Sequence, residues 1–160
     1  MGEQEKTLEY LNGLSNVFRY ILQSNHQTLV SLDEELQFIK AYTYLLSVRY
    51  ENKLFFSIRI ADICLQKRLP ILSLLPLIEN AVKHNVISMQ HPLQIEIYTI
   101  SEDLLVISNF IQPKMEEYVC NGIGLKNLRG RYQMLVGKNI QIDDSNGYFV
   151  VSLPLLNTPE

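Results

Sequence analysis

The sequence predicts an α+β fold: a two-layer α/β sandwich with one sheet, helices packed on a single face, and a helical appendage at the N-terminal end. Three observations predict it. Hydrophobic spacing is helical over the first third of the chain, turns strand-like at Leu54, and beyond that point mixes short apolar strands with further helical stripes. With 160 residues, 47% of them hydrophobic, the chain is long enough to close one substantial core.

The elements follow in order. Between Thr7 and Ser24, Leu8, Leu11, Leu14, Val17, Phe18, Ile21 and Leu22 fall at helical spacing, with Gly13 a weak point. Asn25 to Thr28 reads as a break. Ser31-Leu32-Asp33-Glu34 then has the form of a capping box, which starts a second helix running to about Glu51. Leu54 to Ile60 is extended. Pro76 sits where a helix tolerates proline, in the first turn of a helix over Leu74 to Val86 whose buried stripe is Leu74, Leu75, Ile78, Ala81 and Val82. Strands are predicted at Leu93 to Thr99 and Leu104 to Ser108, and residues 109–123 read as a loop. A last helix from about Leu125 to Val136 stops at Gly137, and the strands Ile140 to Asp143 and Tyr148 to Leu153 join through Asn146-Gly147.

Composition excludes several classes. Fourteen Lys and Arg against seventeen Asp and Glu leave no broad cationic field for nucleic acid, so no nucleic-acid partner is expected (14 and 17 residues). Cys64 and Cys120 are too few and too far apart for a zinc framework and fit a reducing compartment, as buried or incidental thiols. No run approaches the roughly eighteen apolar residues of a membrane span, and the N-terminus has no signal-peptide hydrophobic stretch, so the chain reads as soluble.

Polar groups gather on the Leu74 to Asn85 helix. Glu79 and Lys83 are four apart, as are Asn80 and His84, so a carboxylate, an amide, an amine and an imidazole are expected on one face toward one cleft; an ordinary solvated face has the same spacing. Farther on, Gly122 and Gly124 open a helix. Such a loop brings backbone amides and the positive end of the helix dipole close to phosphate, with Leu125, Lys126 and Asn127 following, although a tight loop-to-helix junction needs the same glycines.

The string Leu75-Pro76-Leu77-Ile78-Glu79-Asn80-Ala81-Val82-Lys83-His84-Asn85 resembles the N box of the GHKL (Bergerat) ATPase and kinase fold, in the form Q-P-L-V-E-N-A-I-K-H-G of LytS-like sensor histidine kinases. Val30 to Leu36 and Tyr42 to Tyr50 resemble the segment that precedes the family's first strand. Gly122-Ile123-Gly124-Leu125-Lys126-Asn127-Leu128, with Arg131, resembles its second glycine box. These ordered matches cover nearly the whole chain. The resemblance implies an ATP-binding catalytic domain with Mg2+ held by Asn80, a neutral oxygen ligand that leaves the other positions to phosphates and water. Glu79 then either assists proton removal or positions a metal-bound water. Lys83 reaches phosphate or is a surface lysine, and His84 lines the phosphate side or only the helix surface. Arg131 either complements phosphate charge or ties its helix to an acidic neighbour.

Two departures are visible. Where the family has D-x-G-x-G, this chain has Asn109-Phe110-Ile111, so the adenine-reading carboxylate is an amide and a glycine is an isoleucine. The lost charge is worth roughly 1.5 to 3 kcal/mol of hydrogen bonding. The family's acceptor motif N-P-H-F-L-F-N is also absent; His26 and His91 read as loop residues. Residues 1–28 are therefore expected to be the second dimerisation helix of a truncated phosphoacceptor region, and residues 29–160 the catalytic domain. The implied whole is a homodimeric sensor in the bacterial inner membrane with this part cytoplasmic. It would phosphorylate a histidine of the same protein or its dimer mate and pass the group to a response regulator. The alternatives are a degenerate pseudo-kinase that relays signals and dimerises, and, ranked last, a hydrolysing ATPase using Glu79.

Overall fold

A computed structural model describes residues 2–115 and 122–159. In chain order the elements are α1 (Glu3–Gln23), β1 (Leu29–Ser31), α2 (Leu32–Tyr50), β2 (Leu54–Arg59), β3 (Arg68–Pro70), α3 (Leu75–His84), β4 (Leu93–Ser101), β5 (Leu104–Phe110), α4 (Ile123–Leu135), β6 (Gln141–Asp143) and β7 (Tyr148–Pro154). Short 3-10 turns lie at Glu51–Lys53 and Asp62–Cys64. Cys120 and Asn121, read above as an incidental thiol and the lead-in to the glycine loop, lie outside the described residues.

The principal sheet has the order β2-β4-β5-β7-β6, with β2 parallel to β4 and every other pair antiparallel. Alternation assigns its faces. One register row runs Ile58, Ile97, Ile107, Val151; the next runs Phe56, Ile95, Asn109, Phe149. Ile95, Ile97, Ile107 and Val151 are buried with Leu77 and Ile78 of α3 and Leu128 and Tyr132 of α4 in one core. Phe55, Phe110 and Tyr148, on the opposite face, remain exposed, so helices cover one face as predicted.

α1 and α2 form an antiparallel hairpin. Tyr20 stacks on Phe38 at 4.5 Å between ring centroids, and the Tyr44 hydroxyl reaches Glu9 at the other end, at 3.3 Å. Gly13 has a packing reason: a Cβ there would lie 3.3 Å from the Leu45 side chain. The capping box is present, with Glu34 N donating to Ser31 Oγ at 3.2 Å and Ser31 N to the Glu34 carboxylate at 2.9 Å.

Three expectations need correction. Residues 29–31 and 68–70 pair as a separate two-stranded antiparallel sheet, which three-residue strands without a period could not announce. Asn109 and Phe110 continue β5 and are not in a loop, because both pair with β7, opposite Phe149 and Tyr148. The last helix begins at Ile123, two residues before the predicted start.

A carboxyl group is fully buried between α2 and α3. Glu35 lies on the Leu32, Leu36, Ile39 stripe of α2 and is 0% exposed. Its Oε2 accepts from the Tyr20 hydroxyl at 2.8 Å and from Leu72 N at 3.1 Å, and its Oε1 accepts from Leu74 N at 3.1 Å. Burial pushes this carboxyl above the ordinary range, while the Leu74 amide, the Tyr20 hydroxyl and the Leu72 amide pull it back. Ser31→Ala is expected to lower stability by about 1 kcal/mol through loss of the cap. Urea unfolding of the two proteins measures this, and the slope should be unchanged.

Candidate functional site

α3 is placed by its two ends. No side chain caps its start; the Leu74 amide instead donates to Glu35, whose carboxylate sits at the positive end of the helix. At its finish, Asn85 is extended and its Nδ2 donates to Ala81 O at 2.8 Å. The Oδ1 of Asn85 accepts from Gln112 N at 2.8 Å, and Val86 N donates to Gln112 O at 2.8 Å. Gln112 Nε2 in turn donates to Val86 O at 2.6 Å and to His91 O at 3.1 Å. The segment after β5 is thereby stitched to the end of α3.

Between these elements and the start of α4 lies a cavity of about 370 Å³, within the range of small-molecule sites. Asn80, Ala81, His84 and Asn85 line it from α3, Asn109, Ile111 and Pro113 from β5 and beyond, Gly122 and Leu125 from α4, and Asp144 and Phe149 from the last hairpin. A second concavity of about 410 Å³ lies between α1 and α2, walled mainly by polar side chains such as Asn16, Arg19, Gln23 and Gln37. It is a groove of the helical hairpin and holds none of the predicted site residues.

The cleft brings together Asn80, His84, Asn109, Gly122 and Leu125, which come from separate sequence motifs. Glu79, Lys83, Gly124, Lys126 and Asn127 are not among its lining residues. Each helical residue turns about 100° from the last, so Glu79 and Lys83 occupy the neighbouring face of α3. There, burial and then the Glu79 charge push the Tyr42 hydroxyl of α2 up to about 12. Partial burial raises the Glu79 carboxyl itself. Gly124 lies where α4 packs on α3: a Cβ there would sit 3.4 Å from Pro76 Cβ, an ordinary contact distance. Lys126 and Asn127 are exposed on α4.

Gly122 holds a left-handed backbone, φ 58°, immediately before α4. Its carbonyl accepts from Lys126 N at 3.1 Å, which leaves the amides of the first turn unused by the helix. Asn109 is 5% exposed, and its Nδ2 donates to Phe110 O at 2.9 Å, so Oδ1 is the atom left to accept. Arg131 does not line the cleft, and among the described residues it forms no ion pair with an acid. Its guanidinium donates to the carbonyls of Ile71 and Leu72, the latter at 2.9 Å, and burial lowers its pKa.

Sequence reasoning assigned no role to Asn85, Pro113, Asp144 or Phe149. Phe149 reaches the cleft only because β7 pairs with β5, a fact no local pattern carries. Asn85 stood in the quoted motif and carried a usable signal. Among the described residues no three His, Cys, Asp or Glu side chains cluster as a metal cage.

The family model described as Histidine kinase matches residues 1–54. Over 161 residues the chain is 27% identical to the sensor protein LytS of Oceanobacillus iheyensis, covering 90% of this chain and 28% of that protein. It is 30% identical over 120 residues to the sensor protein kinase HptS of Staphylococcus aureus, covering 74% and 21%. The chain belongs to the sensor histidine kinase family. It spans about a quarter of the length of the curated relatives it matches. Solved catalytic domains of the family share the fold. That of histidine kinase ThkA aligns with TM-score 0.57 at 18% identity over 83% of this chain and 98% of that one. Acinetobacter baumannii AdeS aligns with TM-score 0.54 at 13% identity over 94% and 80%.

His84 supplies a pH test. Burial, then Lys83 and Lys114, lower its pKa, so the imidazole is neutral in the free protein at pH 7. A polyphosphate placed against it would raise that pKa, and binding would then take up protons. Affinity is expected to rise as pH falls from about 8 toward about 6, the range in which histidine titrates. Titration calorimetry in buffers of different ionisation enthalpy measures the uptake, and His84→Ala should flatten the profile.

Proposed function

We propose that this chain binds magnesium ATP in the cleft between α3, β5 and α4 and presents it for phosphoryl transfer to a histidine of the same protein or its dimer mate. A response regulator would then receive the group. The supporting observation is the convergence of Asn80, His84, Asn109, Gly122 and Leu125 on one cavity. When bound, the magnesium nucleotide supplies the phosphoryl group and a cation that offsets charge on the phosphates. The chain's own part is positioning. Asn80 offers the amide oxygen for the metal, His84 and the nearby Lys83 offer positive charge, and the first-turn amides after Gly122 face phosphate. Asn109 accepts from the base amino group, with Ile111 and Phe149 as apolar walls. Glu79 serves from the adjoining face of α3, where it orients solvent at the rim.

The exposed side of α1 supports a homodimer. Leu8, Leu11, Phe18 and Leu22 are 59%, 55%, 58% and 66% exposed, a coiled-coil spacing that a second copy would cover. Among the described residues no helix is long and apolar enough to cross a membrane. In the proposed whole protein, the anchor in the bacterial inner membrane lies in another segment and this part faces the cytoplasm.

Asn109 and Ile111 also favour a second reading, a pseudo-kinase that keeps the fold for dimerisation and relay. Calorimetry with magnesium ATP at millimolar concentration separates the two. The kinase reading expects binding, a loss of about tenfold or more in Asn80→Ala, and label transfer to a supplied acceptor-helix fragment. Absence of binding and of label would falsify it. Asn109→Asp restores a charged acceptor and is expected to tighten ATP binding by about tenfold, read from the same titration.

A further inference from the structure

Glu35 touches no part of the cleft, yet it joins helix α1 to both helices that form the cleft's walls. On one side it accepts the Tyr20 hydroxyl of α1 at 2.8 Å. On the other it accepts the Leu72 and Leu74 amides, each at 3.1 Å, in the segment that launches α3. Arg131 of α4 donates to the carbonyls of Ile71 and Leu72 in that same segment.

Leu72 sits at the centre of these contacts with a left-handed backbone, φ 57°. A branched side chain there is strained and persists only where its surroundings over-determine it. Glu35 holds its amide and Arg131 its carbonyl, so the peptide units on both sides are pinned by α2 and α4. Tyr20 is set in turn by its stack on Phe38. Burial and the Glu35 charge push its hydroxyl far above the ordinary phenol range, so it remains a donor at any physiological pH.

We propose that Glu35 is a positioning residue that transmits the setting of α1 to the cleft: when Tyr20 moves away, the Leu72 bend relaxes and α3 and α4 lose their fixed spacing. The bend is the two-state element, and α1 is the input side. Asn80 and His84 ride on α3, Gly122 and Leu125 on α4, so a change in spacing alters the cavity they share. The affinity part of this inference rests on the nucleotide reading of the cleft; the coupling part does not.

The test uses the 160-residue chain with Tyr20→Phe, which keeps the ring stack and deletes the donor, and Glu35→Gln. Tyr44→Phe, which removes the α1–α2 hydrogen bond to Glu9 at the other end of the hairpin and leaves Tyr20 and its stack in place, is the control. Hydrogen exchange is followed by mass spectrometry, and magnesium ATP binding by calorimetry. Faster exchange is expected at residues 71–78 and 123–135 in Tyr20→Phe and Glu35→Gln, with the remaining sheet unchanged and affinity lowered about fivefold. Unchanged exchange in those segments overturns the proposal. So does a uniform increase over the whole chain, or an equal loosening in Tyr44→Phe, since either marks general destabilisation. If the wild-type chain binds no nucleotide while the local exchange effect appears, the coupling stands and the nucleotide reading fails.

Discussion

The carboxyl group of Glu35 is held inside a core, and the geometry of the cleft follows from how its oxygens are satisfied. Removing a carboxylate from water costs several kcal/mol unless donors replace the water. A phenol from α1 and two amides ahead of α3 do so here. Because those amides belong to the first turn of α3 and its approach, satisfying the carboxyl group fixes where α3 begins and which way it points. The same carboxylate lies at the positive end of the α3 dipole, so one group both anchors and complements the helix.

With its start fixed, α3 needs only a second point to be a rigid wall. Asn85 provides it by donating to Ala81 O and accepting from Gln112 N. An asparagine inside the quoted motif thus lines the cleft while tying the end of α3 to the strand segment facing it. The Gln112 side chain repeats the arrangement from the facing strand end. Gly124 completes the frame from the other side, where the start of α4 packs beside Pro76.

Much of this was legible in the sequence where it depends on neighbours in the chain. The Ser31 cap, the α3 stripe, the glycine opening of α4 and the alternation of β4 are local patterns, and each matched its element. What depends on pairing across the chain was not legible. Asn109 read as loop because β5 turns polar there, and only its β7 partners keep it in the sheet. The β1 and β3 strands are too short for a period. Helical spacing related Glu79 to Lys83 and Asn80 to His84, but the expectation that all four face one cleft does not hold: only Asn80 and His84 line it. Glu35 stood in plain view on an apolar stripe of α2; an acid among Leu32, Leu36 and Ile39 is the one signal that a buried polar network was present.

The parallel pairing of β2 with β4 bears on how such a chain emerges from a ribosome. β4 and β5 can meet as a hairpin as soon as both are made, whereas β2 waits for the whole α3 crossover before its partner exists. The α1–α2 hairpin is thus synthesised before the residues that complete its interior. Until Leu72 and Leu74 arrive, Glu35 keeps its water, and the hairpin has no reason to settle into its final angle. Vectorial synthesis therefore leaves the N-terminal helices adjustable and lets the later sheet set them.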